Sequence, residues 1–408
     1  MTSSGPWTGL QASRDEQAED VFRGMWRELL PLGRCEATGG YRRYAWTTVD
    51  GECRAWFAGQ AAARGLFYEV DRNGNQWAWH GDPAAGDALV TGSHLDSVPD
   101  GGAYDGPLGV VSAFAAFDVL RARGRLTGRP LAIVNFADEE GARFGVACVG
   151  SRLMTGSLDP SCVRDLRDGD GVPLATAMER AGRDPGAIGR DDERLARVGA
   201  FVELHVEQGR HLSGTPYAVG VASAIWPHGR WRFDFLGEAD HAGTTRLADR
   251  RDPMPAFAAA VLHAHSQAGA AGALATFGKV IVEPNGTNVI PSRVTAWLDC
   301  RAPKAAILDA LVESIAGAAR AEVTCESYTP VVEFDGPLRD RLASALGGVP
   351  VLATGAGHDA GILAAEIPTA MLFVRNPTGV SHAPREYVTE ADCLAGVAAL
   401  AYILADLL

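Results

Sequence analysis

Five residues of this 408-residue chain have the side chains and the local surroundings of a two-cation hydrolytic site. His94 stands in Ser93-His94-Leu95-Asp96-Ser97, Asp105 in Gly101-Gly102-Ala103-Tyr104-Asp105-Gly106, and Glu140 in Asp138-Glu139-Glu140-Gly141, with His205 and His382 further along. Imidazole nitrogens and carboxylate oxygens suit borderline and hard cations, and a carboxylate shared between two cations is the usual hinge of such a site. Any one of the five, taken alone, reads as a packed histidine or a solvated acid. Together on loops that follow strands, they reverse that reading. Asp105 lies in a Gly-rich turn that lets its carboxylate lean between two cations. Asp96, two residues beyond His94, is placed to accept the other ring N–H and fix its tautomer. Glu139 adjoins Glu140 and is the candidate general acid/base. Dications make a hydroxide available near neutral pH, and a neighbouring carboxylate then carries the proton to the departing nitrogen. Gln208, on the loop after His205, either reaches the substrate or braces the site. His358-Asp359 opens a helix after Gly355-Ala356-Gly357, where backbone N–H groups meet an anion or support the metal shell.

These residues need a frame, and the hydrophobic pattern supplies one. Helical periodicity runs over 16–30 and 50–64, and 66–70 reads as a strand closed by the turn Asp71-Arg72-Asn73-Gly74-Asn75. Apolar runs at 88–91, 131–137 and 201–205 read as buried strands, each ending in a polar or acidic cluster. In open α/β sheets ligands collect beyond the carboxyl ends of strands, which is where His94, Glu139, Glu140 and His205 fall. The helix 108–123 has Pro107 before it and Gly124 after it, as helix punctuation expects. From about 213 to 329 the pattern becomes strand, strand, helix, strand, strand, helix, strand: 219–225, 230–236, 253–268, 276–282, 293–300, 305–320 and 322–327. Alternation in Trp231-Arg232-Phe233-Asp234-Phe235 gives that sheet one buried face. A strand at 370–374 and a helix at 390–407 then resume the first pattern. The chain is therefore expected to form an α/β catalytic domain from 1–212 and 330–408, interrupted by a smaller α+β domain at 213–329.

Composition excludes other classes. A net charge of −13 argues against a nucleic-acid partner, which needs Lys and Arg to displace counterions. With 47% hydrophobic and 21% charged residues the chain reads as a globular enzyme, and no apolar run is long enough to span a bilayer. Seven scattered cysteines without CxxC spacing fit reduced thiols. Met1 to Asp20 lacks a basic segment followed by an apolar one, so no signal peptide is expected and the cytoplasm is the expected location.

The motifs resemble one family, the M20-type amidohydrolases of the hydantoinase/carbamoylase group, which includes allantoate amidohydrolases, N-carbamoyl-L-amino acid hydrolases and β-ureidopropionases. Carrying the resemblance are Gly92-Ser93-His94-Leu95-Asp96-Ser97, the Asp105 turn, Asp138-Glu139-Glu140-Gly141-Ala142-Arg143-Phe144, Glu203-Leu204-His205-Val206-Glu207-Gln208-Gly209, His241-Ala242-Gly243-Thr244-Thr245, Asn288-Val289-Ile290-Pro291 and Gly357-His358-Asp359-Ala360. The resemblance implies a metallo-exopeptidase-like catalytic domain with a central mixed sheet, and a ferredoxin-like lid or dimerisation domain. It implies two divalent ions per subunit, Zn or Mn with Co or Ni as alternatives, one held by His94, Asp105 and His205 and the other by Asp105, Glu140 and His382. Related exopeptidases carry a carboxylate where His205 stands, so this residue favours linear amides and ureido compounds over peptides. His241 resembles the histidine that reaches across a dimer interface to polarise the scissile carbonyl. Asn288 and Arg301 match positions that hold the substrate carboxylate, with Arg293, on the same strand face, as competitor. His358 is carried over as a further substrate-binding residue.

The chain departs from the family after Thr245, where Pro and a hydrophobe give way to Arg246 and Leu247. Arg246 is expected to be either a salt-bridged surface residue or a contact to a second substrate anion. Trp226-Pro227-His228 is unusual too and reads only as a turn. His80, His211, His263 and His265 read as surface or packing residues. The expected activity is hydrolysis of a non-peptide C–N bond in a small ureido or N-acyl amino acid, by a homodimer in which His241 completes the neighbouring site. Allantoate is the first choice, an N-carbamoyl-L-amino acid the second, and an N-formyl or other N-acyl amino acid the third. A metallo-aminopeptidase or dipeptidase, and a binding protein without turnover, are the competing classes.

Overall fold

The computed structural model describes residues 16–126 and 128–408, so most of the stretch searched for a signal peptide lies outside the described residues. The chain divides into two compact units: 1–223 with 333–352 and 357–408, and 224–332 with 353–356.

The first unit is built on a nine-stranded mixed sheet, in the order Phe67–Val70, Gln76–His80, Leu131–Phe136, Ala88–His94, Val198–Val206, Thr369–Val374 and Val219–Ile225, with short strands at the far edge. Its centre is parallel: His94 lies beside Phe136, Gly92 beside Glu203, and Phe373 beside His205. Three strands thus end level with one another, and the loops carrying His94, Glu139, Glu140 and His205 leave from the same edge. Gly92, at φ +148°, is required there, because a Cβ would lie 1.9 Å from the carbonyl oxygen of Val134.

Helix Pro107–Ala122, with Pro at its first turn, is buried along nearly its whole length. It joins the core with helices Glu16–Leu29, Thr48–Ala63 and Glu390–Leu407 through Phe57, Phe114, Val110 and Leu400. The strand Gln76–His80 was not expected. Its register with Phe67–Val70 forms a hairpin around the Asp71 to Asn75 turn, and Trp77 and Trp79 are buried and stacked. Burial of both faces removes the alternation that would have marked it. Val219–Ile225 also differs from expectation. Instead of opening the inserted segment, it pairs antiparallel with Thr369–Val374, Val221 beside Leu372.

The second unit holds a four-stranded antiparallel sheet in the order Glu322–Thr329, His228–Leu236, Arg293–Arg301, Leu274–Glu283, with helices Met254–Ala271 and Ala305–Ala319. In chain order this is strand, helix, strand, strand, helix, strand, the expected ferredoxin-like arrangement. Val294, Ala296, Leu298 and Cys300 alternate into its core and meet Ala260, Ala264 and Ala268, spaced one helical turn apart, and Leu308, Leu311 and Ile315. No helix among the described residues is long and apolar enough to cross a membrane.

Candidate metal centre

The site grows out of the sheet edge. His94 ends its strand, its Nδ1 lies 3.2 Å from the carbonyl oxygen of Asp96, and the Asp96 carboxylate is 3.4 Å from the same nitrogen. His205 points its Nδ1 at the carbonyl of Val206, 3.0 Å away. A carbonyl can only accept, so in both rings Nδ1 carries the hydrogen and Nε2 faces inward. Both Nε2 atoms face Asp105 Oδ1, at 3.6 Å from His94 and 3.2 Å from His205. Asp105 Oδ2 lies 3.3 Å from His382 Nε2, which is 3.6 Å from Glu140 Oε2. Two neutral lone pairs turned on a carboxylate oxygen repel it unless a cation or proton lies between them. His94 Nε2, in a fully buried ring, makes no hydrogen bond.

Two sets of ligand atoms emerge, each with all members within 4.8 Å of one another: His94, Asp105 and His205, and Asp105, Glu140 and His382. Asp105 belongs to both. A third set, Glu203, His205 and His358, also meets this distance, but Glu203 spends one oxygen on the Ser93 hydroxyl at 2.7 Å and the other on the Ala360 N–H at 3.0 Å.

Electrostatics point the same way. Burial, reinforced by Asp105, raises the Glu140 carboxyl to about 7. Burial raises Glu139 well above the usual carboxylate range, against the pull of His94 and with help from the carboxylates Asp359, Glu140 and Asp96. Asp105 moves the other way: the histidines His205, His382 and His94 gathered around it outweigh its burial and hold it well below that range. Asp96, Asp138, Glu139, Glu203, Asp359 and Glu386 are all buried nearby. So many carboxylates in so little volume call for positive charge, and the ion pairs of Asp105, Glu139 and Glu140 are with histidines. Donor types, shared acid, orphaned nitrogen and carboxylate excess all fit a pair of divalent cations.

The supporting contacts are specific. Asp96 accepts the backbone N–H of Glu139 at 3.2 Å and of Glu140 at 3.0 Å, so it fixes the acidic loop as well as His94. Gln208 Nε2 donates to Asp105 Oδ2 at 2.9 Å and lies 3.3 Å from His382 Nε2, which makes it a brace of the second set. Gly106, at φ +78°, lets the Asp105 turn approach His94, since a Cβ would come within 2.5 Å of that ring. The His358 ring packs edge-on to His205, with centroids 4.5 Å apart.

A family model described as Peptidase family M20/M25/M40 matches residues 90–406. The chain belongs to this family. It is 37% identical over 397 residues to the N-carbamoyl-L-amino acid amidohydrolase of Geobacillus stearothermophilus, covering 92% of this chain and 96% of that one. It is 33% identical over 411 residues to the allantoate amidohydrolase of Escherichia coli K12, covering 95% and 98%. A hydantoinase/carbamoylase family amidase from Burkholderia vietnamiensis matches in structure with a TM-score of 0.85 at 30% identity, covering 95% and 97%.

In this M20 chain the inserted unit holds the remaining expected residues. His241 is exposed on a short strand paired with Val289–Ile290, and the Ala242 N–H donates to the Asn288 carbonyl at 2.9 Å, so His241 and Asn288 are neighbours. His241 Nδ1 accepts the Gly243 N–H at 3.0 Å, which leaves a neutral ring its hydrogen on Nε2. Arg301 is held by Asp299 at 2.7 Å and donates to the Gly355 carbonyl at 2.6 Å. Its competitor Arg293 is committed to Asp234 at 2.7 Å, which also binds Thr295 and Arg232. Arg246 pairs with Asp249 at 2.7 Å and is 83% exposed, as the surface reading expected.

Sequence reasoning missed Glu203, Cys148 and Glu386. Glu203 had a signal, a carboxylate in the apolar strand Phe201-Val202-Glu203-Leu204. Cys148 donates its thiol to Glu139 Oε1 at 3.5 Å from a loop that follows the acidic motif, and had none. Glu386, four residues after His382, binds the Asp105 turn.

Proposed function

We propose that this M20 enzyme is a dinuclear amidohydrolase that cleaves a linear, non-peptide C–N bond of a small ureido acid, with allantoate as first choice. The carrying observation is the convergence of His94, His205 and His382 on the two oxygens of Asp105. Two divalent ions, Zn or Mn, held by His94, Asp105, His205 and by Asp105, Glu140, His382, supply Lewis acidity and an acidified water. Glu139, buried beside that centre, takes the proton from the attacking water and delivers it to the departing nitrogen, and the Cys148 thiol keeps its second oxygen in place. The Nε2–H of His241 donates to the oxygen of the scissile carbonyl as charge develops there. Arg301 and Asn288 hold the substrate carboxylate, with Asp299 fixing the plane of the guanidinium. His358 borders the substrate through its packing on His205.

His241 acts from a second subunit. The outer strand Leu274–Glu283 of the inserted unit supports this, being an edge with Val280 and Ile281 exposed at 41% and 44%, a surface suited to pairing with its copy. Cytoplasmic location is part of the same reading, supported by the unpaired cysteines.

An N-carbamoyl-L-amino acid is the second reading, favoured by the 37% identity to the Geobacillus enzyme. Ammonia release from allantoate and from a panel of N-carbamoyl-L-amino acids, after loading with Zn or Mn, decides between them. Cleavage of dipeptides without ammonia release from either would overturn both.

A further inference from the structure

A cleft of about 630 Å³ in the catalytic unit is lined by four arginines, Arg54, Arg143, Arg180 and Arg183, against one carboxylate, Asp50. None of the candidate metal ligands lines it. Asp50 is buried, with one oxygen accepting the Trp46 N–H at 2.9 Å. Two of the arginines are fixed in place. Arg143 donates to the carbonyls of Ala45 and Trp46 at 2.9 and 3.0 Å and to Asp168 at 3.0 Å. Arg54 lies over the Trp46 ring, 5.3 Å from its centroid. The side chains of the other two, at the end of helix Leu174–Arg180 and in the turn after it, have no hydrogen bond or ion pair among the described residues.

In a chain of net charge −13 this concentration of cations is a local reversal of sign. A cleft walled by one sign of charge focuses its field and concentrates counter-ions. Guanidinium forks match carboxylate and phosphate oxygens in pairs, and the volume is within the roughly 300–1,000 Å³ of small-molecule sites. Thr48, at the start of helix Thr48–Ala63, adds a hydroxyl to the same wall.

We propose that this cleft binds a compact dianion, either one phosphoryl group or a pair of carboxylates, through Arg180 and Arg183 closing onto the fixed Arg54 and Arg143. The site is separate from the metal centre and does not depend on the reaction assigned to it.

Isothermal titration calorimetry of the metal-loaded enzyme, at ionic strength held constant with sodium chloride, tests this with inorganic phosphate and malonate as probes. The wild type should bind one equivalent that the Arg180→Gln/Arg183→Gln protein binds at least about tenfold more weakly, as loss of two charge-assisted contacts requires. Metal content should be unchanged. Tighter phosphate identifies a phosphoryl ligand, and tighter malonate a dicarboxylate. Identical titrations in the two proteins would assign all binding elsewhere, the metals included, and overturn the proposal. A measurement on the wild type alone covers the case in which the variant does not fold. The preferred probe should slow phenylglyoxal modification of Arg180 and Arg183, read by mass spectrometry, and modification at an unchanged rate would equally overturn it.

Discussion

Glu386 Oε1 accepts the backbone N–H of Asp105 at 3.0 Å, so an acid on the His382 loop fixes the peptide that presents the carboxylate shared by both ligand sets. The same oxygen accepts the Tyr104 N–H at 2.9 Å. Glu386 therefore ties the His382 loop to the turn that carries Asp105. Glu386→Ala leaves both N–H groups without this acceptor and should weaken metal retention by about 10–100-fold, the usual effect of losing a partner that orients a ligand. Glu386→Gln keeps a carbonyl acceptor and should retain most of the metal. Metal content after dialysis against graded chelator measures both. Equal retention by wild type and Glu386→Ala would refute the coupling.

The proposed roles, proton transfer for Glu139 and metal binding for Glu140, are separated by one substitution. Glu139→Gln should lower kcat by about 10²–10⁴-fold while metal content stays at the wild-type level. Loss of metal with activity would show that the two neighbouring glutamates have exchanged roles. The measurement pairs steady-state ammonia release with elemental analysis of the same sample.

A shared active site makes a prediction that a self-contained one does not. His241→Ala should lose roughly 3–4 kcal/mol of transition-state stabilisation, the scale of one oxyanion donor. Glu139→Gln and His241→Ala proteins, each nearly inactive, should regain about a quarter of wild-type activity once mixed and allowed to exchange subunits, because half the dimers are then mixed and each has one intact site. Mixtures that stay inactive despite exchange, followed by native mass spectrometry, would place His241 in its own subunit's site.

Much of this arrangement was legible in the sequence because its chemistry is local. His94, Asp105, Glu140, His205 and His382 stand beside strand ends and glycine turns, where motif and position coincide. The strands at 88–94, 131–136 and 198–206 were marked by the apolar runs 88–91, 131–137 and 201–205, and the smaller α+β unit by alternation with one buried face. What escaped depends on distant pairing. Gln76–His80 is buried on nearly all sides by Leu131–Phe136 and Phe67–Val70, so no periodicity marks it. Val219–Ile225 is assigned to the first sheet only by Thr369–Val374, about 150 residues later, and no turn signal sets it apart from the segment that follows. Glu386 and Cys148 act through a backbone N–H and a thiol that meet the site only in the folded chain.

His228 gives the inserted unit a pH dependence with a definite sign. Burial lowers its pKa below the ordinary 6.5, and the positive charge of Arg301 adds to the effect, while Nδ1 lies 2.9 Å from the Trp226 carbonyl. The unfolded chain therefore binds the proton more readily than the folded one. The neutral ring contributes stability in full above the unfolded value near 6.5, and that contribution is lost as pH falls through the lower folded value. Thermal midpoints measured across this acidic range should fall with pH less steeply in His228→Gln than in the wild type, at matched ionic strength and metal loading. Parallel curves for the two proteins would show that His228 titrates alike in both states.

Arg246 marks the departure from the family pattern, and its geometry decides what its removal should do. The side chain is 83% exposed and engaged by Asp249 at 2.7 Å, three residues on, a surface pair of the kind that contributes little. Arg246→Ala should change kcat/KM by no more than about twofold on monocarboxylate and dicarboxylate N-carbamoyl amino acids alike, in keeping with surface substitutions that stay within about 0.5 kcal/mol. The discriminating measurement is the ratio between N-carbamoyl-aspartate and N-carbamoyl-alanine in the two proteins. A selective loss on the aspartate derivative, of tenfold or more, would mean that Arg246 leaves Asp249 to meet a second substrate anion, since losing a charge-assisted contact to a bound carboxylate costs about 1.5–3 kcal/mol.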